Sequence, residues 1–371
     1  MRRLRMAMIG GGPGAFIGPV HRFAAELDRE IELVAGVFSS DADRSRSAGE
    51  AYRIDTARAY PSLDVMFAAE AAREDGIDFV SIVTPNHNHL PSARAALAAG
   101  LPVITDKPLT ATLGEAHELA GLVAAAGKPF GVTYTYSGYP LVREARARIA
   151  SGEIGTIRKV VVEYPQGWLA GEASGKQAEW RVDPTRAGLG GCIGDIGVHA
   201  FQLAEFVTGL RVTEMLADLG AVVPGRMLDD DCSILLRFDN GARGVLLASQ
   251  IEVGELNGLR IRAYGDKGGL IWKQEVPNTL TINRIDGRTE IVHAGGAHLG
   301  PDAMARTRTP AGHPEGYLEA FANLYRDFAA LVRGDAAPLL PGIADGVRGM
   351  AFIATAVAAS RDKAGWVKLE G

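Results

Sequence analysis

Two side chains that can carry a proton stand four residues apart in the stretch Gly-Cys-Ile-Gly-Asp-Ile-Gly-Val-His, residues 191–199. On a helix, positions i and i+4 share one face, so Asp195 and His199 are expected to point toward one place. The glycines before them let a loop turn sharply into a helix, and Asp195 stands where an N-cap or first-turn acid is expected. The same spacing also fits a capped helix with a structural histidine, so the rest of the chain must decide.

Length and composition narrow the class of protein. A chain of 371 residues fits two domains, and its 47% hydrophobic and 22% charged residues are ordinary for a soluble globular protein. The net charge of −5 gives no basic footprint, so we expect no nucleic-acid partner. Cys192 and Cys232 are too few for a disulfide framework and fit a reducing cytoplasm as small core residues. The apolar run near the start is too short for a signal peptide, and no stretch approaches the ~20 apolar residues of a membrane helix, so we expect a cytoplasmic protein.

A glycine-rich turn follows the first apolar run. Leu4 to Ile9 reads as a strand, residues 10–18 as a turn, and His21 to Asp28 as a helix. Strand, glycine turn and helix form the architecture of a dinucleotide site, where helix N–H groups face a pyrophosphate. The pattern Gly-x-Gly-x-x-Ala at 10–15 satisfies the usual fingerprint. The turn residues expected at the cofactor are Gly10, Gly12, Pro13, Gly14, Ala15, Phe16 and Ile17.

The end of the second predicted strand, Ile31 to Phe38, bears on the choice between NAD and NADP. A dinucleotide fold usually carries an acid there for the ribose 2′-hydroxyl, but this chain has Ser39 and Ser40. Asp41 comes later, as the expected N-cap of a helix that includes Arg44. The missing acid and the nearby arginine leave room for a 2′-phosphate, while Arg44 also fits a solvated helix position. The cofactor is therefore NAD or NADP, with the preference open.

Further strands and helices alternate up to residue 133. The predicted strands are Asp78–Thr84, Leu101–Asp106 and Pro129–Thr133, and the predicted helices are Pro91–Ala99 and Leu113–Ala126. Such alternation predicts crossover units and a parallel sheet, with ligands beyond the carboxyl ends of its strands. The residues expected there are Thr84, Pro85, Asn86, His89, Asp106 and Lys107. We therefore predict a Rossmann domain over residues 1–133.

Residues 134–371 predict a second, α+β domain. Asn-Gly at 240–241, between the apolar runs 232–238 and 242–252, is a strong hairpin signal. Other predicted elements are a helix at 140–150, strands at 156–164, 259–264, 269–273, 279–283 and 289–293, and helices at 315–332 and 343–359. The expected architecture is a largely antiparallel open sheet with helices on one face, the last helices being free to pack on the first domain. The other sheet face needs cover, which predicts a homodimer or homotetramer formed through that sheet.

These landmarks together resemble the Gfo/Idh/MocA family, the glucose–fructose oxidoreductase and inositol dehydrogenase type. The resemblance covers essentially the whole chain. Beyond the glycine turn, its motifs are Thr-Pro-Asn-His-Asn-His at 84–89, Asp-Lys-Pro-Leu at 106–109, Gly-Asp-Ile-Gly-Val-His at 194–199 and Tyr-Gly-Asp-Lys-Gly-Gly-Leu at 264–270. Each is weak alone, but their order and separation are specific in combination.

The resemblance implies roles for individual residues. Lys107 matches a lysine beside nicotinamide and substrate, in a Lys-Pro motif whose peptide bond is often cis. Asp195 and His199 match the catalytic Asp-x-x-x-His pair, and Asn86 matches a residue near the nicotinamide ribose. The implied reaction is hydride transfer between nicotinamide and a secondary alcohol or ketone of a sugar, sugar derivative or inositol. In it His199 takes the hydroxyl proton, Asp195 orients the substrate or the imidazole, and Lys107 holds the alcohol oxygen.

The chain departs from the family pattern at three places. Asp106 replaces the usual glutamate. The glycine loop is about three residues longer, so either Ala15 or Gly18 takes the third glycine position. Residues 135–140 stand where many members carry an Asn-x-Arg-Arg stretch, so an expected substrate-side arginine is absent.

Four other side chains are candidates for the sugar pocket: Tyr136, Gln166, Trp168 and Arg181. Each also fits ordinary packing or a salt bridge. We assign no metal, because no Cys/His spacing suggests zinc.

Two other functions compete with a dehydrogenase. One is a same-fold glycosidase or epimerase that oxidises its substrate transiently and retains the cofactor. The other is a non-enzymatic nucleotide-binding sensor. The presence of Lys107, Asp195 and His199 argues against the sensor, because a sensor needs only the glycine loop of the first domain.

Overall fold

A computed structural model of the protein describes residues 2–171 and 183–370. The described chain divides into two compact units. The first contains residues 2–134 and 321–350, and the second contains residues 135–171, 183–320 and 351–370. The chain therefore passes between the units within its two C-terminal helices.

A five-stranded parallel sheet forms the centre of the first unit, and it confirms the predicted Rossmann architecture. Its strands are β1 (Leu4–Gly10), β2 (Ile31–Val37), β3 (Phe79–Val83), β4 (Val103–Thr105) and β5 (Phe130–Val132), in the order β2-β1-β3-β4-β5. Every residue of β3 is buried, as expected for a parallel strand covered on both faces. The strand order reverses between β1 and β3, the position at which such sheets bind ligands.

Helices connect these strands: α1 (Ile17–Leu27), α2 (Ala42–Tyr52), α3 (Leu63–Ala71), α4 (His89–Ala98) and α5 (Leu113–Ala126). A short 3₁₀ turn, Thr56–Arg58, precedes α3, and another, Asn86–Asn88, precedes α4. Helix α5 begins with a capping box between Thr112 and Glu115 and ends at Gly127 in the left-handed conformation. Helix α3 was not predicted from the sequence, although the Ser62 hydroxyl, which accepts from the Val65 N–H, is an ordinary N-cap.

The second unit contains a nine-stranded sheet, which confirms the prediction of a largely antiparallel second sheet. Its strands are β6 (Ile157–Pro165), β7 (Val212–Gly220), β8 (Asp231–Phe238), β9 (Arg243–Ser249), β10 (Arg260–Gly265), β11 (Gly268–Lys273), β12 (Thr279–Arg284), β13 (Thr289–His293) and β14 (Val367–Lys368). Their order is β13-β12-β11-β10-β6-β9-β8-β7-β14, and among these strands only β6 and β9 pair in parallel. Strands β7 and β14 were not predicted; β7 contains Glu, Ala and Asp, which are poor strand formers.

The helices of the second unit are α6 (Pro140–Ala150), α7 (Pro184–Ala187), α8 (Val198–Thr208) and α9 (Pro301–Ala305). A 3₁₀ turn, Thr135–Gly138, leads into α6, and a π-helical turn, Ile193–Gly197, leads into α8. Both α6 and α8 pack on the sheet. On α8, Phe201 stacks on Phe352 with ring centroids 4.2 Å apart.

Two long helices, α10 (Tyr317–Val332) and α11 (Ile343–Arg361), end the helical part of the chain. Among the described helices, α11 alone is long and apolar enough to cross a membrane by length and composition. Half of its most apolar stretch is buried inside the protein, and core helices of soluble proteins meet the same criterion, so this is weak evidence for a span.

Candidate active site

The glycine turn after β1 is shaped by positions where a side chain would collide with the backbone. A Cβ on Gly12 would lie 2.4 Å from the Phe38 carbonyl oxygen, and one on Gly18 would lie 2.5 Å from the Gly11 Cα. Gly18 stands in the first turn of α1, so it provides the close packing between helix and turn that the third glycine of the fingerprint provides. Ala15 instead lies in the loop before the helix. The structure thus favours Gly18 over Ala15 for the third position.

The start of α1 suits an anion. Its N-cap, Phe16, forms no side-chain cap hydrogen bond, so no side chain there competes for the helix N–H groups. Gly10 adopts φ +94°, and the Tyr52 hydroxyl holds the turn by donating to the Gly11 carbonyl at 2.6 Å. Pro13, Gly14 and Phe16 are exposed. A glycine-rich turn before a helix start that has no side-chain cap fits the pyrophosphate of a dinucleotide.

The segment after β2 contains the predicted serines, Ser39 and Ser40, followed by the N-cap Asp41. Ser39 is half-buried and its hydroxyl accepts from the Asp41 N–H at 3.2 Å, whereas Ser40 and Arg44 are exposed. Asp41 is the N-cap of α2, and its carboxylate accepts from the Arg44 N–H at 2.8 Å. Asp41, the nearest acidic residue after β2, therefore caps α2.

A buried histidine connects the loops that follow β3 and β4. His89 Nδ1 lies 2.9 Å from the Pro108 carbonyl oxygen, and its Nε2 lies 2.9 Å from the Thr84 carbonyl oxygen. Burial lowers the His89 pKa, which favours a neutral ring that donates to one of the two carbonyls. Asn86, which lies between Thr84 and His89 in the sequence, is also buried. His89 therefore holds the two loops together, and its predicted contact with the cofactor stays a prediction.

Asp106 holds the backbone of Lys107. Its Oδ1 accepts from the Lys107 N–H at 2.8 Å and from the Thr133 hydroxyl at 3.0 Å. The Lys107–Pro108 peptide bond is cis, as the family resemblance implied. The Lys107 side chain is half-buried. The departure from glutamate to Asp106 thus leaves a side chain short enough to reach the next residue's own N–H.

Beside Asp106 lies a buried polar group that our sequence analysis missed. His21 Nε2 is 4.0 Å from Asp106 Oδ2, and His21 Nδ1 is 2.7 Å from the Tyr325 hydroxyl oxygen. Ser81 extends the contact, with its hydroxyl 2.8 Å from that of Tyr325. Burial lowers the His21 pKa to about 4, so the ring is neutral at pH 7. The available signal was the position of His21 at the start of the helix predicted after the glycine turn.

In the second unit, Asp195 lies in the π-helical turn and His199 in the first turn of α8. The prediction that Asp195 is a first-turn acid is confirmed, but that turn is π-helical, with Cys192 as its N-cap, whereas a regular helix was expected. The i, i+4 argument assumed α-helical spacing throughout, whereas a π turn has i→i+5 hydrogen bonds. Such turns occur often at functional sites.

Side chains from distant segments surround the pair. Gln250 Nε2 donates to Asp195 Oδ2 at 2.9 Å. The Tyr136 ring meets the His199 ring edge-on, with centroids 4.8 Å apart, and the Tyr164 ring lies 6.4 Å from it. His199 itself is 7% exposed. The two residues predicted from spacing thus share a buried wall of aromatic and amide groups.

A hydrogen-bonded network continues from that wall toward solvent. The Tyr136 and Tyr164 hydroxyls are hydrogen-bonded, and burial raises the Tyr136 pKa to about 12. The Tyr164 hydroxyl donates to Asn257 Oδ1 at 2.7 Å, and Gln166 Nε2 donates to the same oxygen at 2.8 Å. Trp168 Nε1 donates to Gln166 Oε1 at 2.9 Å, and the Trp168 side chain is exposed.

Three of the four predicted pocket residues therefore meet in one network, through Tyr164 and Asn257, which were not predicted. No local pattern marks Asn257, because it reaches the site from a loop 91 residues beyond Gln166. Arg181, the fourth candidate, lies outside the described residues.

A cluster of two buried cysteines, Cys192 and Cys232, and the half-buried Asp229 holds the π turn. Their potential ligand atoms lie within 4.8 Å of one another. Both Asp229 oxygens already accept hydrogen bonds, Oδ1 from the Gly191 N–H and Oδ2 from the Ile193 N–H, each at 2.7 Å. Burial raises the Cys192 pKa to about 11, which keeps this thiol protonated at pH 7. Through the Asp229 carboxylate, the cluster fixes the backbone of the segment that precedes Asp195.

Family models match both parts of the chain. The model described as "Oxidoreductase family, NAD-binding Rossmann fold" matches residues 4–134, and that described as "GFO/IDH/MocA C-terminal domain" matches residues 142–271. The oxidoreductase YfiI of Bacillus subtilis, whose function is uncharacterized, is 36% identical over 99% of this chain and 97% of its own. The protein belongs to the Gfo/Idh/MocA family. It is an NAD-binding oxidoreductase.

Other members of the family resemble the whole chain. An inositol dehydrogenase homolog from Azotobacter vinelandii, solved with NADH and myo-inositol, is 37% identical, with a TM-score of 0.92 over 99% of this chain and 98% of its own. Levoglucosan dehydrogenase of Pseudarthrobacter phenanthrenivorans is 28% identical over 99% of this chain and 98% of its own. The relatives of this chain thus include a dehydrogenase of a sugar derivative and an inositol dehydrogenase homolog.

The shape of the glycine turn predicts the effect of adding one methyl group. Gly12→Ala should weaken NADH binding by at least about tenfold, because its Cβ would push the turn away from the Phe38 carbonyl. Titration of NADH by fluorescence measures this, with circular dichroism to verify folding. Gly114→Ala is the matched control, because a Cβ at this position in α5 meets nothing within 4 Å. Unchanged affinity in folded Gly12→Ala would contradict the assignment of the turn to the cofactor.

Proposed function

We propose that the protein transfers hydride between a nicotinamide dinucleotide and a secondary alcohol carbon of a sugar, sugar derivative or inositol. The observation that carries this proposal is the Asp195–His199 pair, held beside buried hydroxyl and amide groups in a chain whose first domain binds NAD. Two similar chains support the substrate class, a levoglucosan dehydrogenase and an inositol dehydrogenase homolog solved with NADH and myo-inositol.

The chemistry divides between the cofactor and the protein. Oxidising an alcohol removes a hydride from carbon and a proton from oxygen, and the nicotinamide supplies the hydride chemistry when it is bound. His199 takes the hydroxyl proton, since an imidazole titrates near neutral pH. Asp195 orients the imidazole or the substrate and stabilises the imidazolium that forms. Lys107 holds the alcohol oxygen and stabilises its developing negative charge.

Polar groups that can exchange hydrogen bonds with hydroxyls suit the proposed substrate. Tyr136, Gln166 and Asn257 offer both donors and acceptors, which matches the dual character of sugar hydroxyls. The exposed Trp168 provides an apolar ring for the C–H face of a sugar. Arg181 remains a predicted contact to substrate hydroxyls.

The three proposed catalytic residues can be tested separately from cofactor binding. Lys107→Met, Asp195→Ala and His199→Ala should each lower turnover by about 10²–10⁴-fold, because each removes a group that acts on the reacting oxygen or its proton. NADH affinity, measured by fluorescence, should change little. The exposed residues Lys128 and His117 supply the controls Lys128→Met and His117→Ala, which should retain full turnover.

The assay needs a substrate, which a screen of inositols, aldoses and glycosides with both cofactors would identify. Full activity in His199→Ala would overturn the mechanism. Exchange of substrate hydrogen without net NAD(P)H formation would instead point to a glycosidase or epimerase that retains its cofactor.

The choice between NAD and NADP depends, in our proposal, on Arg44. Arg44→Glu should raise the ratio of the NADPH to the NADH dissociation constant by about tenfold, because a carboxylate repels the 2′-phosphate. Titration of both cofactors measures the ratio. Arg46→Glu, an exposed change two residues further along α2, is the matched control. A clear preference of the wild type for NADH, with an unchanged ratio in Arg44→Glu, would refute this role.

We also propose that the protein forms a homodimer or homotetramer through the open face of the second sheet. Aligned residues cross this face from strand to strand: Leu216, Leu235, Val245, Val161, Arg262, Ile271, Thr281 and Ile291. Most are apolar, and Leu235 and Ile291 are 45% and 57% exposed. A mostly apolar row on an open sheet face favours contact with a second copy over contact with water.

A charge in this row should separate the subunits. Leu235→Lys should raise the subunit dissociation constant by about a hundredfold, because burying an unpaired ammonium group is costly. Sedimentation equilibrium measures the constant. Val65→Lys is the matched control, since Val65 is equally exposed, at 47%, but lies on α3. An unchanged assembly in Leu235→Lys would exclude this face as the interface.

A further inference from the structure

We infer that Gln250 is a positioning residue for Asp195, an inference that rests on the proposed function of Asp195. Gln250 follows directly after β9, which ends at Ser249, and its side chain is 2% exposed. Its Nε2 donates to Asp195 Oδ2 at 2.9 Å, across 55 residues of sequence. A buried amide beside a carboxylate has both a fixed direction and little competition from water.

The backbone of Gln250 is held on both sides. Its N–H donates to the Asp230 carbonyl at 2.9 Å, and its carbonyl accepts from the Leu169 N–H at 3.0 Å. Asp230 is itself anchored, since its carboxylate accepts from the Val222 N–H at 2.7 Å and the Val223 N–H at 3.0 Å. The origin of the Gln250 side chain therefore cannot shift without breaking several buried hydrogen bonds.

Asp229, the neighbour of Asp230 in the chain, holds the π turn that carries Asp195. The Asp229 carboxylate accepts from the N–H groups of Gly191 and Ile193, and the Asp229 carbonyl accepts from the Cys192 N–H at 2.8 Å. Two consecutive residues of one loop thus fix both groups. Asp230 holds the backbone of the donor, Gln250, and Asp229 holds the π turn that carries the acceptor, Asp195. The Gln250–Asp195 hydrogen bond is preorganised by this loop.

A neutral donor at this place has a chemical consequence. Donation to a carboxylate favours its ionised form and fixes its orientation. An ionised Asp195 can then stabilise the imidazolium formed at His199, whereas a second cation beside it would compete with that role. A glutamate at position 250 has nearly the same shape, but would bring two carboxylates together.

Three other titratable groups in the described part of the second unit interact electrostatically with Asp195, and each is neutral at pH 7. They are Tyr136 in the 3₁₀ turn before α6, Tyr164 on β6 and Cys192 at the start of the π turn, and burial raises the pKa of each. Asp229 faces Cys192 from the loop before β8 and is held by backbone N–H groups. A new carboxylate at position 250 would therefore couple first to Asp195.

Two substitutions at position 250 test the role. Gln250→Leu should lower kcat by about ten- to hundredfold, with NADH affinity and the KM of the sugar changed less than about threefold, because a hydrogen bond to the charged group is lost. Gln250→Glu should be more impaired near pH 8 than near pH 6, because a protonated glutamate can still donate to Asp195 whereas two carboxylates repel. Gln274→Leu is the matched control, as its amide donates to the Tyr139 hydroxyl instead.

The same assays separate this inference from the proposed function. A purely structural role for Gln250 would lower the thermal stability and activity of both variants while leaving the wild-type pH profile, and this result would overturn the inference. If Asp195→Asn is impaired but the Gln250 variants are fully active, the inference about Gln250 is overturned and the proposed function stands. Full activity in Asp195→Asn would refute the proposed function as well. We expect Asp195→Asn/Gln250→Leu to lose little more activity than Asp195→Asn, because both substitutions break one interaction.

Discussion

The carboxylate of Asp229 holds the turn on which the candidate site of the second unit depends. Its oxygens accept from the N–H groups of Gly191 and Ile193, at the start of a π-helical turn whose first hydrogen-bonding groups lack partners within the turn. Burial raises the Asp229 pKa, while these N–H donors act in the opposite direction. Without such an anchor a π turn is rare, because its hydrogen-bonding pattern competes poorly with that of the α-helix.

The first unit uses a related construction for Lys107. Asp106 accepts from the N–H of Lys107, so again an acid fixes the backbone of a residue that is proposed to act on substrate. Burial favours the neutral forms of His21 and His89, the two histidines that interact electrostatically with Asp106. In each unit, an acidic side chain thus fixes the backbone at or just before a residue that is proposed to act on substrate.

Regular elements and the positions of motifs were predictable because they depend on neighbouring residues. Apolar periodicity located β1 to β5 and the hairpin of β8 and β9, and Asp41 was recognised as an N-cap from its place before a helical run. Strand β7 was missed because pairing with β8, and not its own composition, makes it a strand. The π turn was missed because its sequence is equally compatible with the start of an α-helix.

The sequence by itself determined the family, the two kinds of sheet and the candidate residues Lys107, Asp195 and His199, since motif order survives in the chain as written. The tertiary structure alone decided that Gln250 meets Asp195, that Asn257 links Tyr164 to Gln166, and that Gly18 packs against Gly11. The physical reason is that a hydrogen bond between distant segments depends on the path of the backbone. Local propensity, which acts over a few residues, carries no information about that path.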